Sequence, residues 1–412
     1  MSKKTIQPFK FSGTMSAMAS KSYLQRAFAL ASLAKGKSEL KNVKWSADGM
    51  AALDVIRQLG SMANNYGDSV EIYAAKSTSD HIYLNIGEAG LGLRMFAGVS
   101  ALQRKPVTIT GEGSILMRPV QPVVESLKAC GVSVKTKNNS LPITISGEFS
   151  GGECHVDGSF SSQILTGLLI ALPLAEKDTM LHVKDLKSLP YVDMTLALVK
   201  EFGGEITHED YKVFHIRGNQ TYTGTNYSVE GDWSGMANHL VGAAISGKVT
   251  ITGMNQQSLQ ADRAILTALE RTGAVSSWND DSITVTQKEN KPFELDATHS
   301  PDIFPPLTVL AAAANGVSRI TGIHRLTHKE SDRLTALIET FGKLGVHLTT
   351  EDDTLLIHGT GAVTSGTIHS FNDHRIAMAG CIAACISDGA ITIEKSDAVK
   401  KSYPEFFREL GI

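Results

Sequence analysis

The stretch GMANHLVGAAISGKVTITG, Gly235 to Gly253, decides the fold. Its first part is a run of small and apolar residues too long for a strand, and it reads as a buried Ala-rich helix. A polar turn at Gly247-Lys248 ends the run. The alternation Val249-Thr250-Ile251-Thr252 that follows reads as a short half-buried strand. Five other stretches have the same grammar: QRAFALASLAKGKSEL (25–40), LRMFAGVSALQRKPVTITG (93–111), SQILTGLLIALPLAEKDTMLHV (162–183), PPLTVLAAAANGVSRITG (305–322) and HRIAMAGCIAACISDGAITI (374–393).

A second kind of helix recurs between them and closes on glycine. IRQLG, LKACG, VKEFGG, LERTG, GKLG and FRELG end at or next to Gly60, Gly131, Gly203, Gly273, Gly345 and Gly411, a spacing of about 70 residues. Glycine just past the last apolar turn is the usual helix stop. Alternating strands such as VSVKT and VHLTT come after most of them. The chain of 412 residues therefore holds six α/β units. That period is too long for one turn of a solenoid, and repeats bury their apolar helices best by closing around a centre. Two globules of three units each are the expected arrangement.

The unusual residues fall into register with this repeat. Starts of the first helix type carry Lys21, Ser22 and Arg26, then Gly90 and Arg94, then Ser161, Ser162 and Gln163, then Asp232, Asp302, and Asp373-His374-Arg375. Starts of the second type carry Asp48, Arg118, Ser188 and Tyr191, Lys329-Glu330 with Arg333, and Lys401. A lysine or arginine at a helix start faces the positive end of the dipole, a cost of a few tenths of a kcal/mol each. The cost disappears if an anion sits between cation and helix end, where free N–H groups also point. The pattern predicts a site for strongly anionic ligands.

Composition sets the remaining bounds. Hydrophobic residues make up 42% and charged residues 20%, ordinary for a globular protein. A net charge of −3 argues against a general nucleic-acid or membrane-surface binder. No secretory leader or membrane-spanning run is legible, so the expected compartment is the cytoplasm. The four cysteines lack zinc spacing, and no His-rich metal cluster, P-loop or Gly-x-Ser-x-Gly elbow is present. GLGLRM has Met95 where a dinucleotide fingerprint needs its third glycine.

Eight motifs in order, SKSYLQR, GEGSILMRP, SSQILTGLL, SLPYVDMT, Pro301-Asp302, KESDR, NDHRIAM and KKSYPEF, resemble those of the enolpyruvyl transferases over nearly the whole chain. They look most like the branch that takes shikimate 3-phosphate, on the route to chorismate and the aromatic amino acids. The resemblance implies a two-lobed inside-out α/β barrel of six βαβαββ repeats, three per lobe. The lower lobe would hold residues 1–20 and 230–412 and the upper lobe 21–229, with the active site in the cleft. It implies transfer of the enolpyruvyl group of phosphoenolpyruvate to the 5-hydroxyl of shikimate 3-phosphate, by addition and then elimination, in a monomer using no cofactor or metal. Lys21, Ser22, Arg26, Ser161, Ser162, Ser188, Tyr191, Asp302 and Lys329 are then the expected shikimate 3-phosphate contacts. Lys21, Gly90, Arg118, Gln163, Arg333, Arg375 and Lys401 are the phosphoenolpyruvate contacts. Asp302, Glu330 and Lys329, with Lys21, are the expected catalytic groups, and Asp302 is placed at the reacting hydroxyl.

The UDP-N-acetylglucosamine branch is similar in fold, but its mobile loop usually carries a reactive cysteine where GEGSILMRP has Ser114. There are departures from the family pattern. Met18-Ala19 replace Pro-Gly before the first motif, Thr327 replaces an arginine, and the loop before Arg94 reads Glu88-Ala89-Gly90-Leu91-Gly92-Leu93. A carboxylate at Glu88 beside an anion site is unexpected. A weakly active anion-binding module is therefore the second function class. With Leu91 and Met95 in place of the usual Thr and Pro, the loop also predicts low sensitivity to glyphosate and a raised KM for phosphoenolpyruvate.

Overall fold

The computed structural model describes residues 2–147, 149–327 and 329–412, and the chain divides into two compact units. One comprises Met1–Ser20 with Glu230–Ile412, the other Lys21–Val229. Among the described residues the helices alternate as the repeat predicts. The first type gives α1 (Lys21–Ala31), α3 (Gly90–Ser100), α5 (Ser162–Ala171), α7 (Trp233–Ser246), α9 (Phe304–Ala312) and α11 (His374–Ala383). The second gives α2 (Ala47–Gln58), α4 (Gln121–Ala129), α6 (Leu189–Glu201), α8 (Ile265–Thr272), α10 (Arg333–Lys343) and the short α12 (Phe406–Glu409).

Among the described residues each unit contains three sheets; five of the six have four strands on one plan, and the sixth has three. In the sheet of strands Ile82–Asn85, Val107–Thr110, Ser140–Ser146 and Ser133–Lys137, the first pair is parallel and the others are antiparallel. The parallel pair encloses a first-type helix, the crossover that parallel strands require. Two sheets of the Glu230–Ile412 unit are completed from the N-terminal segment. Thr14–Ser16 pairs in parallel with Lys248–Thr252, and Lys3–Ile6 pairs antiparallel with Ile391–Glu394. Asn226–Ser228 likewise completes the first sheet of the other unit, beside Lys37–Lys41.

The first-type helices are buried all round: every residue of α7, α9 and α11 is buried, and so is all of α3 except Gly90. A helix apolar on every face must lie inside, so the sheets are the outer layer of each unit. Second-type helices bury one stripe only, such as Ala336, Leu337, Thr340 and Phe341 of α10. All six closing glycines have φ between 71° and 115°, a region that costs a side-chain-bearing residue free energy.

One close approach positions the site directly. A Cβ on Gly98 would stand 2.6 Å from the Gly167 carbonyl, and one on Gly167 would stand 2.6 Å from the Met95 carbonyl. The backbones of α3 and α5 therefore touch. One turn before those glycines, Arg94 of α3 then reaches Gln163 of α5, its Nη1 donating to Oε1 at 2.7 Å.

Candidate active site

In the Glu230–Ile412 unit three helix starts bring cations and carboxylates together into one network. Asp302 precedes α9, Arg333 opens α10, and Asp373 caps α11 by accepting from the Arg375 N–H at 2.9 Å. Arg333 is wholly buried and spends its guanidinium on three carboxylates. Nε donates to Asp373 at 3.0 Å, Nη1 to Asp302 at 2.7 Å and Nη2 to Glu330 at 2.6 Å. Arg375 donates from Nη2 to the other Asp302 oxygen at 3.0 Å and from Nη1 to the Ser234 hydroxyl of α7. Lys329 Nζ lies 3.6 Å from Asp302.

These contacts answer the helix-start puzzle differently from the sequence expectation. The helix begins at Arg333, capped by Asp332, so Lys329 and Glu330 precede it rather than forming its first turn. The cation at the first position is compensated by the protein's own carboxylates. Burial pushes the Asp302 carboxyl up, but Arg375, Lys329 and Arg333 outweigh it and hold the group well below the usual carboxylate range. Burial lowers Lys329, and Arg333 adds to that against the opposing pull of Asp302. Burial also works against the charge of Arg333, yet Asp373, Glu330 and Asp302 raise it further.

In the Lys21–Val229 unit the expected residues form three groups. Lys21, the first residue of α1, pairs with Asp48 of α2 at 2.8 Å. Arg26 is buried, donating to the Thr195 and Thr166 hydroxyls at 3.0 and 3.2 Å and to the Ser22 and Tyr191 carbonyls at 2.8 and 3.4 Å. Burial lowers its guanidinium to about 10. Gly90 sits in the third group, where an added Cβ would meet Arg118 Nη1 at 2.7 Å and Arg94 Nη1 at 3.0 Å. Ser161 caps α5, accepting from the Gln163 N–H at 3.2 Å, and Ser162 is buried behind it. Ser188 caps α6 with φ of 56°, a left-handed conformation unusual for serine. Lys401 Nζ donates to the Asn372 carbonyl at 3.0 Å, one residue before Asp373.

Three further residues belong here. Arg94 was legible as a cation in an otherwise apolar helix. Glu88 has a structural reason: its carboxylate accepts from the Ser114 N–H and hydroxyl, both at 2.8 Å. It thereby ties down the turn Gly113–Met117 that leads to Arg118. Asp262, in the turn before α8, gave no sequence signal. Burial, with Asp302 adding to it, pushes its carboxyl up to about 6 against the pull of Arg375.

That shift has a testable sign. Between about pH 4 and pH 6 the folded chain keeps a proton that unfolded Asp262 has already lost. Stability therefore falls as pH rises through this window, and the penalty is complete above it. Asp262→Asn is expected to stabilise by roughly 2–3 kcal/mol at pH 7.5 and by little at pH 4. Urea unfolding at both values checks it; no gain at pH 7.5 refutes the reading.

Six sheet-and-helix layers in two units, with buried cations and carboxylates at the helix starts, define the enolpyruvyl transferase class. The chain belongs to the EPSP synthase (3-phosphoshikimate 1-carboxyvinyltransferase) family, whose model matches residues 6–410. It is 34% identical to the 3-phosphoshikimate 1-carboxyvinyltransferase of Clostridium novyi, covering 98% of this chain and 95% of that one. It is 35% identical to the Yersinia pseudotuberculosis protein of the same name, covering 99% and 97%. A solved EPSP synthase from Acinetobacter baumannii superimposes with a TM-score of 0.82 over 99% of this chain and 97% of that one, at 24% identity. That likeness bears on the fold, and it agrees with the α/β repeat expected from sequence. Among the described residues no helix is long and apolar enough to cross a membrane.

Proposed function

We propose that the chain transfers the enolpyruvyl group of phosphoenolpyruvate to the 5-hydroxyl of shikimate 3-phosphate. The family membership supports this enzyme reading over a weakly active anion-binding module and over the UDP-N-acetylglucosamine branch. The observation that carries the site assignment is the partly buried Asp302 carboxylate held by Arg333, Arg375 and Lys329. In the reaction the hydroxyl oxygen adds to C2 of phosphoenolpyruvate, its proton passes to a base, and C3 takes a proton. Loss of a C3 proton and of phosphate then restores the double bond. Asp302 is the base at the hydroxyl. Free of ligand it is a poor one, because three cations stabilise its ionised form. Two substrates carrying about −1.5 to −2 on each phosphate, plus two carboxylates, compete for those cations. As the cations turn to the substrates, Asp302 regains basicity. Glu330, which accepts from Arg333 Nη2, and Lys329, lowered by burial, serve proton transfer at C3.

In this reading Lys21, Ser22, Arg26, Ser161, Ser162, Ser188, Tyr191, Asp302 and Lys329 receive shikimate 3-phosphate, while Lys21, Gly90, Arg118, Gln163, Arg333, Arg375 and Lys401 receive phosphoenolpyruvate. Phosphate release by purified protein with both substrates, each omitted in turn, is the direct test. Release no faster than with one substrate missing rejects the function.

Gly90 gives a sharper prediction. Gly90→Ala puts a methyl 2.7 Å from Arg118 Nη1, the far end of a flexible side chain that can swing away. Stability is expected to hold, since alanine favours the helix by about 1 kcal/mol. Displacing Arg118 should raise the KM for phosphoenolpyruvate by about tenfold, the effect of losing ~1.4 kcal/mol, with the KM for shikimate 3-phosphate little changed. Equal changes in both constants count against placing Gly90 and Arg118 on phosphoenolpyruvate. The expectation of low glyphosate sensitivity rests on the neighbouring buried Leu91 and Met95, because Glu88 is engaged by Ser114. Inhibition that does not tighten in Leu91→Thr counts against it.

A further inference from the structure

Away from the helix starts, one sheet of the Lys21–Val229 unit carries a group of side chains with metal-ligand chemistry. Strands Gly152–Asp157 and Thr179–Lys184 run parallel with His155 directly opposite His182. Alternation along the first strand sends Cys154 inward and puts Glu153 and His155 together on the outer face. The two imidazoles stack with ring centres 4.5 Å apart and planes 8° from parallel. Both present Nε2 to the same carboxylate oxygen, Glu153 Oε1, each at 3.2 Å.

We propose that Glu153, His155 and His182 form a surface site for a borderline divalent transition-metal ion of the zinc type. Zinc binds imidazole nitrogen and carboxylate oxygen at about 2.0–2.2 Å, so donors at a tetrahedral centre stand about 3.4 Å apart. The His–Glu separations are within a few tenths of an ångström of that spacing, and the three ligand atoms all lie within 4.8 Å of one another. Two imidazoles and one carboxylate suit zinc, nickel or cobalt and not magnesium or calcium. The ligands stand on two hydrogen-bonded strands, which fixes their spacing better than loops would. Water would complete the shell, since Glu153 and His155 are exposed. Sequence spacing hides the site, because the register of a parallel pair is what brings the two histidines side by side.

An ion here would staple the strands that lead into Ser161–Gln163 and into Ser188–Tyr191, while touching none of those residues. The test is calorimetric titration of the chelator-treated full-length protein with zinc chloride. One ion per chain is expected at this site, with affinity at least about tenfold lower in His155→Ala and in His182→Ala, in line with the sensitivity of metal sites to loss of supporting groups. His215→Ala is the control, because His215 pairs with Glu209 elsewhere on the same sheet. Cobalt should give a tetrahedral visible spectrum in the wild type that Glu153→Gln weakens and His155→Ala removes. Equal metal-free melting temperatures establish that the variants are folded. A zinc isotherm unchanged in the His155→Ala, His182→Ala double variant overturns the proposal, and so does saturation of the same site by magnesium.

Discussion

Asp302→Asn is expected to lower kcat by roughly 10²–10⁴ while shikimate 3-phosphate still binds, the range for loss of a positioned acid or base. Asparagine keeps the shape of the side chain and its hydrogen-bonding oxygen but cannot take a proton at neutral pH. Binding should survive because the substitution removes one of the negative charges that compete with the ligand for Arg333, Arg375 and Lys329. Arg333 would keep Asp373 and Glu330, so the network is thinned and not emptied. Single-turnover phosphate release, with a separate titration of shikimate 3-phosphate, divides chemistry from binding. Near-normal turnover removes Asp302 from the role of base and leaves Glu330 or Lys329 to supply it. Full loss of binding would mean that Asp302 organises the cations and that its basicity is untested by this substitution.

The repeat was legible because two independent signals agree along the chain. Helices such as α7 are apolar on every face, and the glycines closing the second helix type recur at one spacing. The grouping of Asp302, Arg333, Asp373 and Arg375 was legible only as register, since they stand at the starts of three helices, α9, α10 and α11, from two repeats. What the sequence hides is which charges pair in the absence of ligand. Arg333 looked like half of an anion site, yet three carboxylates fill its guanidinium. Glu88 looked like an electrostatic error until Ser114 appeared as its partner. Asp262 lies in a polar turn with no periodicity, so nothing local marks its burial among charges. Pairings of this kind depend on side-chain direction across repeats, and neither composition nor period records that direction.

Arg333→Met is expected to cost about 3–5 kcal/mol of stability at pH 7, the range for removing one partner of a buried ion network. Methionine roughly fills the space but leaves Asp302, Glu330 and Asp373 without the guanidinium that bonded all three, and Asp373 is fully buried. Lysine should not rescue the loss, because one ammonium cannot send bonds in the three directions that the guanidinium serves. The pH dependence separates this account from simple loss of packing. Arg333 holds Asp302 below the usual carboxylate range, so its contribution through that group is present above the unfolded value near 4 and is lost as pH falls toward the folded one. In the variant Asp302 loses one of the cations that hold it down, so less of that contribution remains to be lost. The stability gap between wild type and Arg333→Met should therefore hold from pH 7 down to about pH 4 and narrow as pH falls below 4 toward pH 2. Denaturant midpoints across that range measure it. A gap that stays constant with pH assigns the loss to packing alone, and a gap below about 1 kcal/mol, the median worth of an exposed pair, would mean that the network is far better solvated than its burial implies.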